Sequence, residues 1–109
     1  MMWTPLTEEN QLEEILEQST QQPVVIFKHS TRCSISAMAK SRLERATAPD
    51  KVHFYYLDLL TFRPVSNRIA ELFSVHHESP QILVIRNKAC VYDASHSGIS
   101  MPDIVDNLG

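Results

Sequence analysis

Cys33 is the residue of this chain that is best suited to covalent chemistry. It lies in the segment Phe27–Ser36, between the apolar run Val24–Phe27 and a stretch with helical periodicity. A cysteine at a strand-to-helix junction meets the free backbone N–H groups and the partial positive charge at the start of the helix. Both stabilise a thiolate, which is the nucleophilic form of cysteine. We therefore predict that Cys33 is a reactive thiol, although a free cysteine is also common as an inert core residue.

Ser36 stands where a dithiol oxidoreductase carries its second cysteine. The motif is therefore Cys-x-x-Ser, a monothiol version of Cys-x-x-Cys. Such a site attacks a disulfide, but another thiol must complete the exchange. We expect Ser36 to donate a hydrogen bond to the Cys33 thiolate from one turn into the helix. The alternative is an ordinary first-turn serine that contacts water.

The other polar residues around Cys33 each have two interpretations. Arg32 and Lys28 could stabilise the thiolate by opposite charge, and Arg32 could also bind a carboxylate of a small thiol, or could simply be a solvated loop arginine. His29 is either a base for Cys33 or a half-buried histidine with an ordinary hydrogen-bond partner. Cys90 lies within an apparent strand, so we interpret it as a small core residue and not as a resolving thiol.

The composition predicts one soluble domain over residues 1–109. Hydrophobic residues make up 43% and charged residues 21%, and the net charge is -3. An acidic chain without a basic stripe argues against nucleic acid as a partner. No signal peptide is recognisable and no apolar run is long enough for a membrane span, so we expect a cytoplasmic protein with reduced cysteines. His76 and His77 lack neighbouring ligands, so we expect no metal site.

Hydrophobic periodicity predicts the element order α-β-α-β-α-β-β-α. The first helix is predicted to begin at Thr7 as N-cap and to end before Pro23, and the helix after Cys33 to bury Ile35, Met38, Ala39, Leu43 and Ala46. The remaining elements are predicted as strands at 52–58, 81–85 and 89–92, a helix opened by Pro64, and a last helix from Ser100. An early β-α-β unit and a late hairpin fit a small mixed sheet with helices on both faces.

Pro80 directly precedes the third strand and follows Ser79. Taken alone, a trans bond is the better prediction, since only ~5–6% of X-Pro bonds are cis. An apolar strand, a cysteine, a helix, a strand, a helix and then X-Pro before a hairpin, however, resembles the thioredoxin fold over nearly the whole chain. The resemblance implies a three-layer α/β/α sandwich, a cis bond facing Cys33, and pairing of the Ser79 backbone with a substrate peptide.

A closer resemblance is to the monothiol bacilliredoxins of the bacillithiol system. It rests on Phe27-Lys28-His29-Ser30-Thr31 followed by Cys33 and Ile35-Ser36, and on Ala94-Ser95-His96 before the last helix. The family site is usually Thr-x-Cys-Pro-Ile-Ser, so Arg32 fills the variable position and Ser34 replaces the proline. Taken together with the residue-level arguments above, we expect Cys33 and Ser36 to act in catalysis, and Arg32, Ser34, Ser79 and Pro80 to bind the substrate.

The resemblance implies an enzyme that removes bacillithiol from protein mixed disulfides. No bound cofactor is implied, because bacillithiol or another low-molecular-weight thiol acts as co-substrate. Bacillithiolated client proteins are the expected partners, together with that thiol or a regenerating reductase. Two alternatives remain open at this point. One is a glutaredoxin-like enzyme that uses glutathione, and the other is a binding module or redox sensor in which Cys33 is modified without turnover.

Overall fold

Five strands form one mixed sheet in the computed structural model, which describes residues 1–109. The strands are β1 (Thr4–Pro5), β2 (Val24–His29), β3 (His53–Asp58), β4 (Gln81–Arg86) and β5 (Ala89–Ser95), in the spatial order β1-β3-β2-β4-β5. The helices are α1 (Gln11–Gln18), α2 (Ser34–Arg45), α3 (Arg63–Phe73) and α4 (Met101–Asp106), and a 3-10 turn covers His96–Gly98. β1, β3 and β2 run parallel to one another, β4 is antiparallel to β2, and β5 is antiparallel to β4.

The central strand β2 organises the core on both faces of the sheet. All six of its residues are buried, and alternate side chains point to opposite faces. One core cluster contains Val24 and Ile26 and packs against α1 and α3, while the other contains Val25 and Phe27 and packs against α2 and α4. The predicted three-layer α/β/α architecture is therefore confirmed.

The N-terminal segment differs from the prediction. β1 pairs with β3 in parallel. It has only two residues and is therefore too short to show periodicity in the sequence. The first helix begins after Asn10, and not after Thr7 as predicted. The reason is a hydrogen-bonded turn before the helix, in which the Gln11 side-chain oxygen accepts the N–H groups of Thr7 at 2.8 Å and Glu8 at 3.0 Å.

The buried face of α2 was predicted incorrectly at its N-terminal end. Ser36, Ala39 and Leu43 face the core, whereas Ile35 and Met38 are 53% and 62% exposed. The two sets of residues lie on neighbouring faces of the helix. The face that begins with the small side chains of Ser36 and Ala39 is the one that packs against the sheet. Exposed apolar residues therefore lie within two turns of Cys33.

The later elements follow the sequence signals. Pro64 lies in the first turn of α3, and the Ser100 hydroxyl caps α4 by accepting the Asp103 N–H. The predicted hairpin is formed by β4 and β5, with β5 extending to Ser95. No helix of the chain has both the length and the apolar character that a membrane crossing requires.

Candidate active site

Cys33 is the N-cap residue of α2, at the carboxyl end of the central strand β2. Its backbone is extended (φ -108°, ψ 121°), and its carbonyl accepts the Ala37 N–H at 3.0 Å as the first bond of the helix. Its own N–H donates to the Ser30 carbonyl at 3.2 Å, which closes the turn between strand and helix. The residue is partly exposed, and the first turn of α2 contains no acidic side chain. An anion at this position would therefore meet the positive end of the helix without a competing carboxylate.

Ser36 does not form the hydrogen bond to Cys33 that we expected. Its fully buried hydroxyl lies 2.6 Å from His29 Nδ1 and accepts the Ser30 N–H at 3.0 Å. The side chain points towards the strand because Ser36 is on the sheet-facing side of α2. Ser36 thus fixes the turn that carries Cys33.

His29 is occupied by structural contacts. It is buried, contacts Ser36 through Nδ1, and stacks on Phe27 with ring centroids 5.7 Å apart. Burial, followed by the positive charge of Lys40, lowers the pKa of His29 below its usual value. The imidazole is therefore neutral near pH 7. No hydrogen bond joins it to Cys33, so the structure agrees with the interpretation of His29 as a buried histidine with a partner.

Arg32 and Ser34 flank the thiol in the sequence, and both are exposed. Arg32 lies in the turn before Cys33, and Ser34 is the first residue of α2. Neither residue takes part in an ion pair or a side-chain hydrogen bond within the chain. Both side chains are therefore free to contact a molecule that approaches Cys33.

The Ser79–Pro80 peptide bond is cis. β4 pairs with β2 so that Gln81 lies opposite Lys28, which puts Pro80 at the same end of the sheet as Cys33. No hydrogen bond outside the helices and strands involves the Ser79 backbone, and the buried Ser79 hydroxyl has no partner. Backbone donors and acceptors are usually paired, so the unpaired Ser79 backbone is suited to bind an extended peptide.

Three hydrogen bonds connect the segment around Pro80, by way of the 3-10 turn, to α2. The Pro80 carbonyl accepts the His96 N–H at 3.0 Å, which joins this segment to the 3-10 turn. Arg42 of α2 donates to the Ile99 carbonyl at 3.1 Å and to the His96 carbonyl at 3.5 Å. The Ser79–Pro80 segment, the 3-10 turn and α2 are therefore joined by hydrogen bonds, and Pro80 and Cys33 lie at the same end of the sheet.

Lys28 is a buried cation whose partners are Ser66 and His77, and not the Cys33 thiolate that its charge was predicted to stabilise. Its side chain is fully buried on the α3 side of the sheet, whereas Cys33 follows at the strand end. The ammonium group donates to the Ser66 carbonyl at 3.2 Å and lies 3.3 Å from His77 Nδ1. Burial lowers the pKa of Lys28 from 10.5 to about 8. A lysine within an apolar strand was the available signal, but its partners come from distant parts of the chain.

Cys90 lies far from Cys33. It pairs with Ile85, which pairs with Val24 at the beginning of β2, whereas Cys33 follows the end of that strand. At ~3.3 Å per residue, the five steps from Val24 to His29 alone separate the two ends by roughly 17 Å. A disulfide requires Cα atoms within ~7 Å, so these two cysteines cannot form one in this fold. Cys90 is half-buried against the core, as predicted, and burial raises the pKa of its thiol.

A family comparison agrees with this geometry. Residues 4–104 match the family model described as monothiol bacilliredoxin BrxC. The chain belongs to the monothiol bacilliredoxin family. The resemblance that the motif around Cys33 indicated is thereby confirmed, and the protein has a thiol redox function.

Solved structures similar to this bacilliredoxin-family chain have thioredoxin folds. One is a proposed oxidoreductase with a thioredoxin fold, which is 30% identical, has a TM-score of 0.80, and matches over 94% of this chain and 90% of its own. Malassezia sympodialis thioredoxin is 17% identical with a TM-score of 0.79, over 99% and 92% of the two chains. Trypanosoma brucei brucei thioredoxin is 14% identical with a TM-score of 0.76, over 96% and 92%. The last two establish similarity of fold alone.

Proposed function

We propose that this protein removes bacillithiol from mixed disulfides on client proteins, with Cys33 as its only catalytic thiol. The observation that carries the proposal is the position of Cys33, partly exposed at the N-terminus of α2 with no second cysteine within reach. Family membership supplies bacillithiol as the low-molecular-weight thiol. Ser36 serves as a positioning residue for the turn and does not contact the reacting sulfur.

The reaction consists of two thiol-disulfide exchanges. In the first, the Cys33 thiolate attacks the bacillithiol sulfur, the mixed disulfide breaks, and the client thiolate leaves and takes up a proton from water. In the second, the thiolate of another bacillithiol attacks the adduct on Cys33, which releases bacillithiol disulfide and the Cys33 thiolate. Across the two exchanges, the client cysteine is reduced and one free bacillithiol is oxidised, because the bacillithiol disulfide combines that molecule with the bacillithiol taken from the client. A partner reductase could supply the two electrons of the second exchange.

The surface around Cys33 supports roles for four further residues. The unpaired Ser79 backbone, held next to Pro80, binds the client main chain as an added strand would. Arg32 and Ser34 are exposed beside the thiol, and Arg32 can donate to a carboxylate of the small thiol. Because both cysteines are free, the proposed reaction suits a reducing compartment such as the cytoplasm.

The test uses a client protein whose single cysteine carries bacillithiol. Reduced wild-type protein is added, and intact-mass spectrometry follows both the release of the client thiol and the adduct on this protein. We expect an adduct of one bacillithiol on Cys33, cleared when free bacillithiol is added. Cys33→Ser should form no adduct, and Cys90→Ser should behave like the wild type.

Parallel substrates separate the proposal from its alternatives. The same client carrying glutathione should react more slowly; equal or faster reaction would favour a glutaredoxin-like enzyme. An adduct that forms but is not cleared by bacillithiol or by a thiol reductase would indicate a redox sensor, and would contradict the proposed turnover.

A further inference from the structure

The exposed face of α2 carries a row of apolar and basic side chains that begins beside Cys33. Ile35, Met38, Arg42 and Arg45 are spaced three, four and three residues apart, so they lie on one side of the helix. We refer to these four residues as the docking stripe. Its first two members are mostly exposed, and neither of its arginines forms an ion pair within the chain.

A groove runs beside the docking stripe. It has a volume of about 370 Å³ and is lined by Ile35, Met38 and Arg42 on one side and by His96 and Ser97 on the other. The 3-10 turn that contains His96 and Ser97 is hydrogen-bonded to the segment at Pro80. Because Ile35 is two residues after Cys33, the groove begins close to the thiol, where a client must approach.

The length of the docking stripe indicates a protein partner. Eleven residues separate Ser34 from Arg45, which corresponds to a rise of about 16 Å along the helix. A small thiol of two- or three-residue size that is attached to Cys33 extends by at most roughly 10 Å. Such a thiol lies beside the start of the docking stripe, whereas a client segment can contact the thiol and the end of the helix together.

The charge of the docking stripe indicates an acidic partner. Arg45 is exposed and has no partner, and Arg42 is bound only to backbone carbonyls. Glu44, the one acidic residue of α2, is held by Lys40 at 3.0 Å and by the Trp3 ring nitrogen at 2.9 Å. The positive charge of the arginines is thus not neutralised within the chain.

We propose that the docking stripe selects clients that carry an apolar side chain close to the modified cysteine and aspartate or glutamate further along the same segment. Ile35 and Met38 contact the apolar side chain, while Arg42 and Arg45 pair with the carboxylates. The proposal rests on the proposed function, since it assumes that clients present their modified cysteine to Cys33. It adds the property by which a client is chosen.

The kinetic test compares two peptides with one bacillithiolated cysteine each. Both have leucine beside the cysteine, followed by two aspartates in one peptide and two lysines in the other. We expect wild-type protein to favour the acidic peptide in kcat/KM, and Arg45→Glu to lower the acidic-to-basic ratio by about tenfold, since reversing one charge converts an attraction into a repulsion. Arg68→Glu, an exposed arginine on α3, is the matched control and should leave the ratio unchanged.

A binding test does not depend on turnover. Isotope-labelled Cys33→Ser protein is titrated with the reduced acidic peptide, and amide chemical shifts are followed by NMR. We expect shift changes along α2 and the 3-10 turn that weaken on introduction of Arg45→Glu or Met38→Ser. Shift changes confined to other surfaces, or none at all, would overturn the docking proposal.

The two tests separate the two proposals. If no bacillithiolated substrate is turned over but the acidic peptide binds along α2, the proposed function fails and the docking stripe stands. If both peptides react equally well in wild-type protein, or if Arg45→Glu and Arg68→Glu change the ratio equally, the docking stripe is wrong. A loss in Arg45→Glu that is as large for bacillithiolated free cysteine would assign Arg45 to the small thiol, and would overturn the client proposal.

Discussion

Lys28 should make the stability of this protein depend on pH in a way that one substitution removes. The ammonium group is fully buried and has a carbonyl and an imidazole, but no carboxylate, as partners. Its pKa is lowered to about 8 in the folded chain from 10.5 for an exposed lysine. Between these two values the unfolded chain binds a proton that the folded chain has lost. Stability therefore rises with pH across this interval.

The size of the effect follows from the two pKa values. The full difference between 10.5 and about 8 corresponds to about 3.4 kcal/mol, reached above the higher value. Of this, about 2 kcal/mol should appear between about pH 7 and about pH 9.5. Lys28→Met keeps much of the volume and removes the charge. It also removes two hydrogen bonds, but burial lowers the pKa of His77, so this partner is neutral across the interval and the loss shifts the whole curve.

The measurement is urea unfolding of wild type and Lys28→Met at both pH values. The free energy of unfolding of the wild type should gain about 2 kcal/mol relative to the variant at the higher pH. Burial raises the pKa of Tyr56, Tyr92 and Cys90, which lowers stability as the pH rises, but these groups act equally in both proteins. Lys51→Met, at an exposed position, controls for the loss of one positive charge. A constant difference between wild type and Lys28→Met would refute the reasoning.

Three further predictions concern the turn and the two thiols. Ser36→Ala should lower the free energy of unfolding by about 1–3 kcal/mol, because His29 Nδ1 and the Ser30 N–H lose their buried partner; urea unfolding would reveal it, and an unchanged midpoint would contradict it. Cys90→Ser should keep full turnover, and a persistent Cys33 adduct in that variant would show that Cys90 resolves it. Cys33→Ser should abolish turnover while its far-ultraviolet circular dichroism stays unchanged; residual turnover would assign the chemistry to another group.

Local signals in the sequence were sufficient for the thiol and for most elements of the fold. Cys33 follows an apolar run and precedes a helical pattern, and that order alone positions a cysteine at a helix N-terminus. Proline and N-cap residues mark the beginnings of α3 and α4 because they act through their own backbone or the next turn. Such effects extend over only a few residues, so they can be recognised without knowledge of the fold.

Tertiary structure decided which way the side chains around the thiol point. α2 offers two neighbouring faces, and only packing against the sheet buries Ser36 and Ala39 and leaves Ile35 and Met38 exposed. Because Ser36 faces the strand, its hydroxyl contacts His29 and not Cys33.

Partners distant in sequence were likewise decided by the fold. The Lys28 ammonium group contacts Ser66 and His77, which lie 38 and 49 residues further along the chain. The register of β2, β4 and β5 separates Cys90 from Cys33. Sequence periodicity reports which residues share a face of one element, whereas burial and pairing depend on the surfaces that other elements bring to that face.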